Sequence, residues 1–84
     1  MVIERFRQGP GPVYERAAEL GRMVPAGVTY VNSWVDARDL ACCYQLMEAD
    51  TAEDLDPWVG AWEDLVDFEI VPVLTSAEAA SRSR

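Results

Sequence analysis

At 84 residues the chain has room for one domain, and a domain of that size buries only about 60–65% of the surface its unfolded chain exposes. Half of the residues are apolar, 10% are aromatic and 26% are charged, which excludes wholesale disorder. Fifteen acids stand against seven bases, all arginine, for a net charge of −8, and there is no histidine and no lysine. Those absences exclude a Ser-His-Asp or Cys-His device, a histidine metal site, a Schiff-base lysine and a P-loop lysine.

In chain order, residues 1–7 carry Val2, Ile3 and Phe6 and read as a strand. Gly9-Pro10-Gly11-Pro12 is a loop ending in a proline where a helix can begin. Val13, Ala17, Leu20 and Val24 then recur as a helical stripe, which Pro25 and Gly27 stop. Residues 28–37 and 40–49 are β-rich and joined by a short polar turn, which predicts a hairpin. Thr51 and Asp56-Pro57 are helix-start signals, and Leu55, Trp58, Val59, Trp62, Leu65 and Val66 share the face of the helix that follows. Residues 67–75 form the last strand, placed at a sheet edge because Pro72 cannot donate to a ladder. Residues 76–84 are a small, polar tail with material for a helical turn.

The order β-α-β-β-α-β predicts an α+β, ferredoxin-like domain over residues 1–75: a four-stranded antiparallel sheet with two helices on one face. With the hairpin turn centred on Ala37-Arg38, Trp34 faces Ala41, Asn32 faces Cys43 and Tyr30 faces Gln45. One face then collects Val31, Val35, Leu40, Cys42, Tyr44 and Leu46 and is expected under the helices. The other collects Tyr30, Asn32, Trp34, Cys43, Gln45 and Met47, a mixed aromatic and polar surface suited to a dimer interface or a ligand pocket.

Trp58 and Trp62, four apart on one helix face, are expected either in the core or in the wall of a cavity where indole stacks on a planar ligand. Adjacent Cys42 and Cys43 are expected to be small buried hydrophobes without a bridge. Glu48, Asp50, Glu53, Asp54, Asp56, Glu63, Asp64 and Asp67 lack the ordered spacing and turn glycine of a calcium loop and are expected as a solvated acidic face. Glu4, Arg5 and Arg7 are expected as exposed charge near a sheet edge. No metal site and no cofactor is expected.

The charge balance leaves no basic stripe, so no nucleic-acid partner is expected. No apolar run approaches the ~18–20 residues of a membrane span, and MVIERFRQGP lacks the form of a signal peptide. The expectation is therefore a cytoplasmic protein without a membrane partner.

The ERF near the start, the SW pair, QLMEA and WEDLVDFEIVPV together resemble a family of small bacterial proteins known as a domain of unknown function. The resemblance runs from Val2 to about Ala80 and implies the dimeric α/β-barrel form of the ferredoxin-like fold, a homodimer whose two sheets pack face to face. Wider relatives of that fold include cofactor-independent monooxygenases, which are similar in having an Asn and a Trp on the strand after the first helix, here Asn32 and Trp34. Haem-degrading relatives use a histidine that this chain lacks. The expected role is binding of a small apolar or aromatic molecule by a homodimer. A monooxygenase-like or isomerase-like enzyme and a structural or regulatory module are the alternatives.

Overall fold

A computed structural model describes residues 1–83; Arg84, the end of the expected tail, lies outside them. Strands β1 (Val2–Phe6), β2 (Thr29–Val35), β3 (Cys42–Glu48) and β4 (Val66–Ile70) form one antiparallel sheet in the order β2-β3-β1-β4. This is the ferredoxin-like strand order, with β4 at an edge. Helix α1 (Pro10–Leu20) joins β1 to β2, and a 3-10 turn (Ala52–Leu55) runs into α2 (Asp56–Trp62) between β3 and β4. The tail forms a third helix, α3 (Ser76–Arg82), started by a reciprocal cap in which the Thr75 hydroxyl accepts from the Glu78 amide and the Glu78 carboxylate accepts from the Thr75 amide. None of its residues is buried.

Some boundaries move for local reasons. Helix α1 starts at Pro10, so both prolines lie in its first turn, where their missing N–H groups cost nothing. It ends at Gly21, whose φ of 69° stops the helix well before Pro25. Strand β4 stops at Ile70, ahead of Pro72.

The core lies between the sheet and the two helices. Val2, Phe6, Cys43 and Val66 from the sheet meet Val13 of α1 and Leu55, Trp58 and Trp62 at α2. Trp58 is 1% exposed and meets Phe68 of β4 edge-on, ring centres 5.2 Å apart. Arg16 of α1 clamps the end of α2: both of its amino groups donate to the Asp64 carboxylate at 2.7 Å, and one also donates to the Ala61 carbonyl. That bidentate pairing holds the Asp64 carboxyl below its ordinary pKa.

The hairpin departs from the expected register. Residues 36–41 form a wider loop, in which the Asp36 carboxylate accepts from the Arg38 amide and the Asp36 amide donates to the Cys42 carbonyl. Val35 therefore pairs with Cys43 and Trp34 with Tyr44, rather than with Ala41. The register slips by an odd number of residues, so β3 is turned over relative to β2. A bulge at Val31 then places Tyr30 opposite Met47 and Asn32 opposite Leu46.

The expected division of the faces is corrected accordingly. Cys43, Gln45 and Met47 lie under the helices, whereas Cys42, Tyr44 and Leu46 turn to the uncovered face. Val31, the extra residue of the bulge, and Leu40, in the loop, are exposed.

Candidate functional site

Alternation along β1 puts Val2, Glu4 and Phe6 on the helix side and Ile3 and Arg5 on the other. Glu4 is therefore not the exposed edge charge that the sequence suggested. Strand β1 is central, and Glu4 is 3% exposed in the midst of the core. Its neighbours across the ladder are Cys43 on β3 and Phe68 on β4. The Gln45 side-chain amide donates from Nε2 to Glu4 Oε1. Gln45 is itself 9% exposed, and its Oε1 is buried without a hydrogen-bond partner. Such an atom forfeits solvation that nothing among the described residues replaces, at about 1–3 kcal/mol.

Above Glu4 and Gln45 lies a cavity of about 370 Å³. Phe6, Val13, Tyr14, Ala17, Trp58 and Trp62 line it. Arg22, Ser33, Val35 and Cys43 complete the lining. Both indole N–H groups donate to one acceptor, the Arg22 carbonyl, at 3.1 and 3.0 Å. Gly21 at φ 69° and Met23 at φ 57° flank this residue with left-handed backbone. Met23 is there against its steric preference. With their N–H groups engaged, the two tryptophans offer ring surface to the cavity rather than donors.

The Arg22 guanidinium lies 3.9 Å above the Tyr30 ring and donates to the Tyr30 hydroxyl at 3.1 Å and to Ser33 Oγ at 3.3 Å. Tyr30 and Ser33 are linked in turn by a 2.7 Å hydrogen bond. The site is thus an apolar chamber with a buried carboxyl and amide at its floor and one cation in its lining.

Burial raises the Glu4 pKa above its ordinary value, outweighing the hydrogen bonds from Gln45 and Cys43 and the positive charge of Arg22. The Cys43 thiol is pushed up to about 12, first by burial and then by the neighbouring Glu4 charge. It is not a thiolate nucleophile at neutral pH. Both cysteines are buried and free. Two outcomes are expected: reductant leaves Tm unchanged, and iodoacetamide leaves Cys43 of the folded protein unmodified at pH 8. Modification of native Cys43 within minutes, read by intact mass, would contradict this description of the thiol.

The residues singled out from sequence are divided by the sheet. Gln45, Trp58 and Trp62 line the cavity. Tyr30 and Met47 lie on the same side of the sheet, Tyr30 under Arg22 and Met47 against the core. Asn32 and Trp34 lie on the opposite, uncovered face. Glu4 and Arg22 were missed as members of a site. The signal for Glu4 was available, since it stands two residues from both Val2 and Phe6 in one strand and must share their face. Arg22 gives no such signal, because the loop after α1 carries it there.

A second, more open groove of about 640 Å³ lies between β3 and residues 71–75, and the carboxylates in its lining, Glu48 and Glu78, are both exposed. No helix of the described residues is long and apolar enough to cross a membrane. Searches of curated proteins and of solved structures each found no match. The family model described as "Domain of unknown function (DUF3303)" matches residues 1–83, and the chain belongs to that family.

Proposed function

We propose that the protein binds a small, planar, largely apolar molecule in the cavity between the sheet and the helices, with at least one hydrogen-bonding group directed to Gln45. The observation that carries this reading is the buried, unpartnered Oε1 of Gln45, a residue that lines the 370 Å³ cavity together with Trp58 and Trp62. The volume suits a small organic ligand, and convergent polar groups in an aromatic chamber supply orientation. A purely structural module would have no need of this space, since filling it with larger side chains would stabilise the fold.

Calorimetry with 1-naphthol tests the reading. One site per chain is expected, with Kd on the order of 0.1 mM for so small a probe. 1-Methoxynaphthalene, which has no donor for Gln45 Oε1, should bind about tenfold more weakly. No heat from either probe would refute the proposed site.

A homodimer formed through the uncovered sheet face accompanies this reading. Ile3, Trp34, Tyr44 and Leu46 lie on the face of the sheet opposite α1 and α2, and Trp34 is 49% exposed. Arg5, Asp67 and Glu69 share the face and offer opposite charges for a two-fold axis to pair. The oxygenase-like alternative draws on Asn32 and Trp34, which lie on the other face of the sheet from the cavity.

A further inference from the structure

We infer that Glu4 is a proton-transfer residue and that the cavity interconverts a small aromatic ketone and its enol. The inference rests on the ligand-binding reading above and adds a reaction to it. Gln45 Nε2 fixes one carboxyl oxygen of Glu4, while Oε1 of the same amide is buried and lacks a donor. A simple ketone has no O–H or N–H to give that oxygen, but its enol has one. The site's unmet acceptor is therefore satisfied only as the reaction proceeds, and an interaction gained along the reaction coordinate speeds the step.

The ionised Glu4 carboxylate takes a proton from the carbon next to the carbonyl. The C–H electron pair becomes the C=C bond, and the π pair of the C=O bond moves onto oxygen. Glu4 then returns the proton to that oxygen, and the new O–H donates to Gln45 Oε1. One proton changes place and no electron is gained or lost, so the step needs no oxidant or reductant. Arg22 lines the same cavity, and its positive charge stabilises the negative charge that builds up on the transient enolate. Trp58 and Trp62 supply flat apolar surface against which an aromatic ring can be held.

The groups around Glu4 leave little else to titrate. Strand β3 brings the Cys43 thiol, raised to about 12, and the neutral Gln45 amide. The loop after α1 brings Arg22, α1 brings the Tyr14 phenol, and α2 presents only the two tryptophans. Strand β4 contributes Phe68. Because the base must be ionised, the rate should rise with pH through one ionisation lying above the ordinary carboxylate range.

The test uses 2-tetralone in deuterated buffer, with deuterium uptake at C1 followed by NMR and binding followed by calorimetry on the same protein. The expected result is uptake faster than in buffer, with one of the two C1 hydrogens exchanging first because the base approaches from one side. Glu4→Gln should reduce the protein-dependent rate by about 100-fold or more while 2-tetralone still binds. Uptake at the buffer rate with binding intact would overturn the proton transfer and leave the ligand reading standing, whereas absence of binding would remove both. Should Glu4→Gln fail to fold, the native protein's pH profile decides: a single rising ionisation supports Glu4, and a flat profile overturns it.

Discussion

Replacing Trp58 by alanine is expected to lower the urea midpoint of unfolding substantially. Trp58 is 1% exposed, packs edge-on against Phe68 and belongs to the cluster that joins α2 to the sheet. Removing a buried indole costs about 3–5 kcal/mol. A domain of this length has a total stability of roughly 4–13 kcal/mol, at ~0.05–0.15 kcal/mol per residue. The loss is therefore a large part of the whole. Trp58→Phe should behave differently. It keeps ring surface and loses one hydrogen bond to the Arg22 carbonyl, and that carbonyl still accepts from Trp62 at 3.0 Å. A cost of about 1 kcal/mol is expected. Urea unfolding followed by circular dichroism measures both. An alanine variant whose midpoint matched the parent would place Trp58 outside the core.

The second large effect is expected from Trp34→Glu, and it falls on association rather than on the fold of one chain. Trp34 is already 49% exposed, so a carboxylate is tolerated in the single subunit. Packed against a second sheet it would be a buried, unpaired charge, costing several kcal/mol. Each ~1.4 kcal/mol is a tenfold change in Kd, so roughly 100-fold weaker association or more is expected. Sedimentation equilibrium should show a dimer for the parent and a monomer with unchanged far-ultraviolet dichroism for the variant. A parent that stays monomeric at ~100 μM would end the dimer reading. A variant that dimerises as tightly as the parent would remove Trp34 from the interface.

How much of this was legible in the chain follows from the range over which each signal acts. Strand and helix order is written in local periodicity, in Pro10, Pro12 and Pro57 at helix starts and in Pro72 at the end of the last strand, and these act within a few residues of themselves. The α+β class and the two helices on one face follow from that order. The partition of the sheet faces does not. It depends on whether two or six residues turn between β2 and β3, and a change of one odd step turns every side chain over. The sequence at 36–39 admits a tight turn. The wider loop follows once the Asp36 carboxylate accepts from the Arg38 amide and the Asp36 amide is bonded to Cys42.

The candidate site shows the same division. Trp58 and Trp62 are legible as a pair from their spacing on one helix, and Gln45 shares its face with Tyr30, Cys43 and Met47 as expected, but not with Asn32 and Trp34. Glu4 reads as exposed charge from the sequence, because a carboxylate in a short strand near the terminus ordinarily meets water. What buries it is the topology: β3 and β4 pair on either side of β1 and the helices cover one face. A residue's own chemistry and its periodicity with near neighbours were carried by the sequence alone, and so were strand order, helix starts and the excess of acid over base. The register of the hairpin and the meeting of Glu4, Gln45 and Arg22 around one cavity were decided only by the tertiary structure. The meeting at the cavity arises from pairings between segments far apart in the chain, such as Glu4 with Cys43 and with Phe68, and the register from the bonds that widen the loop between β2 and β3.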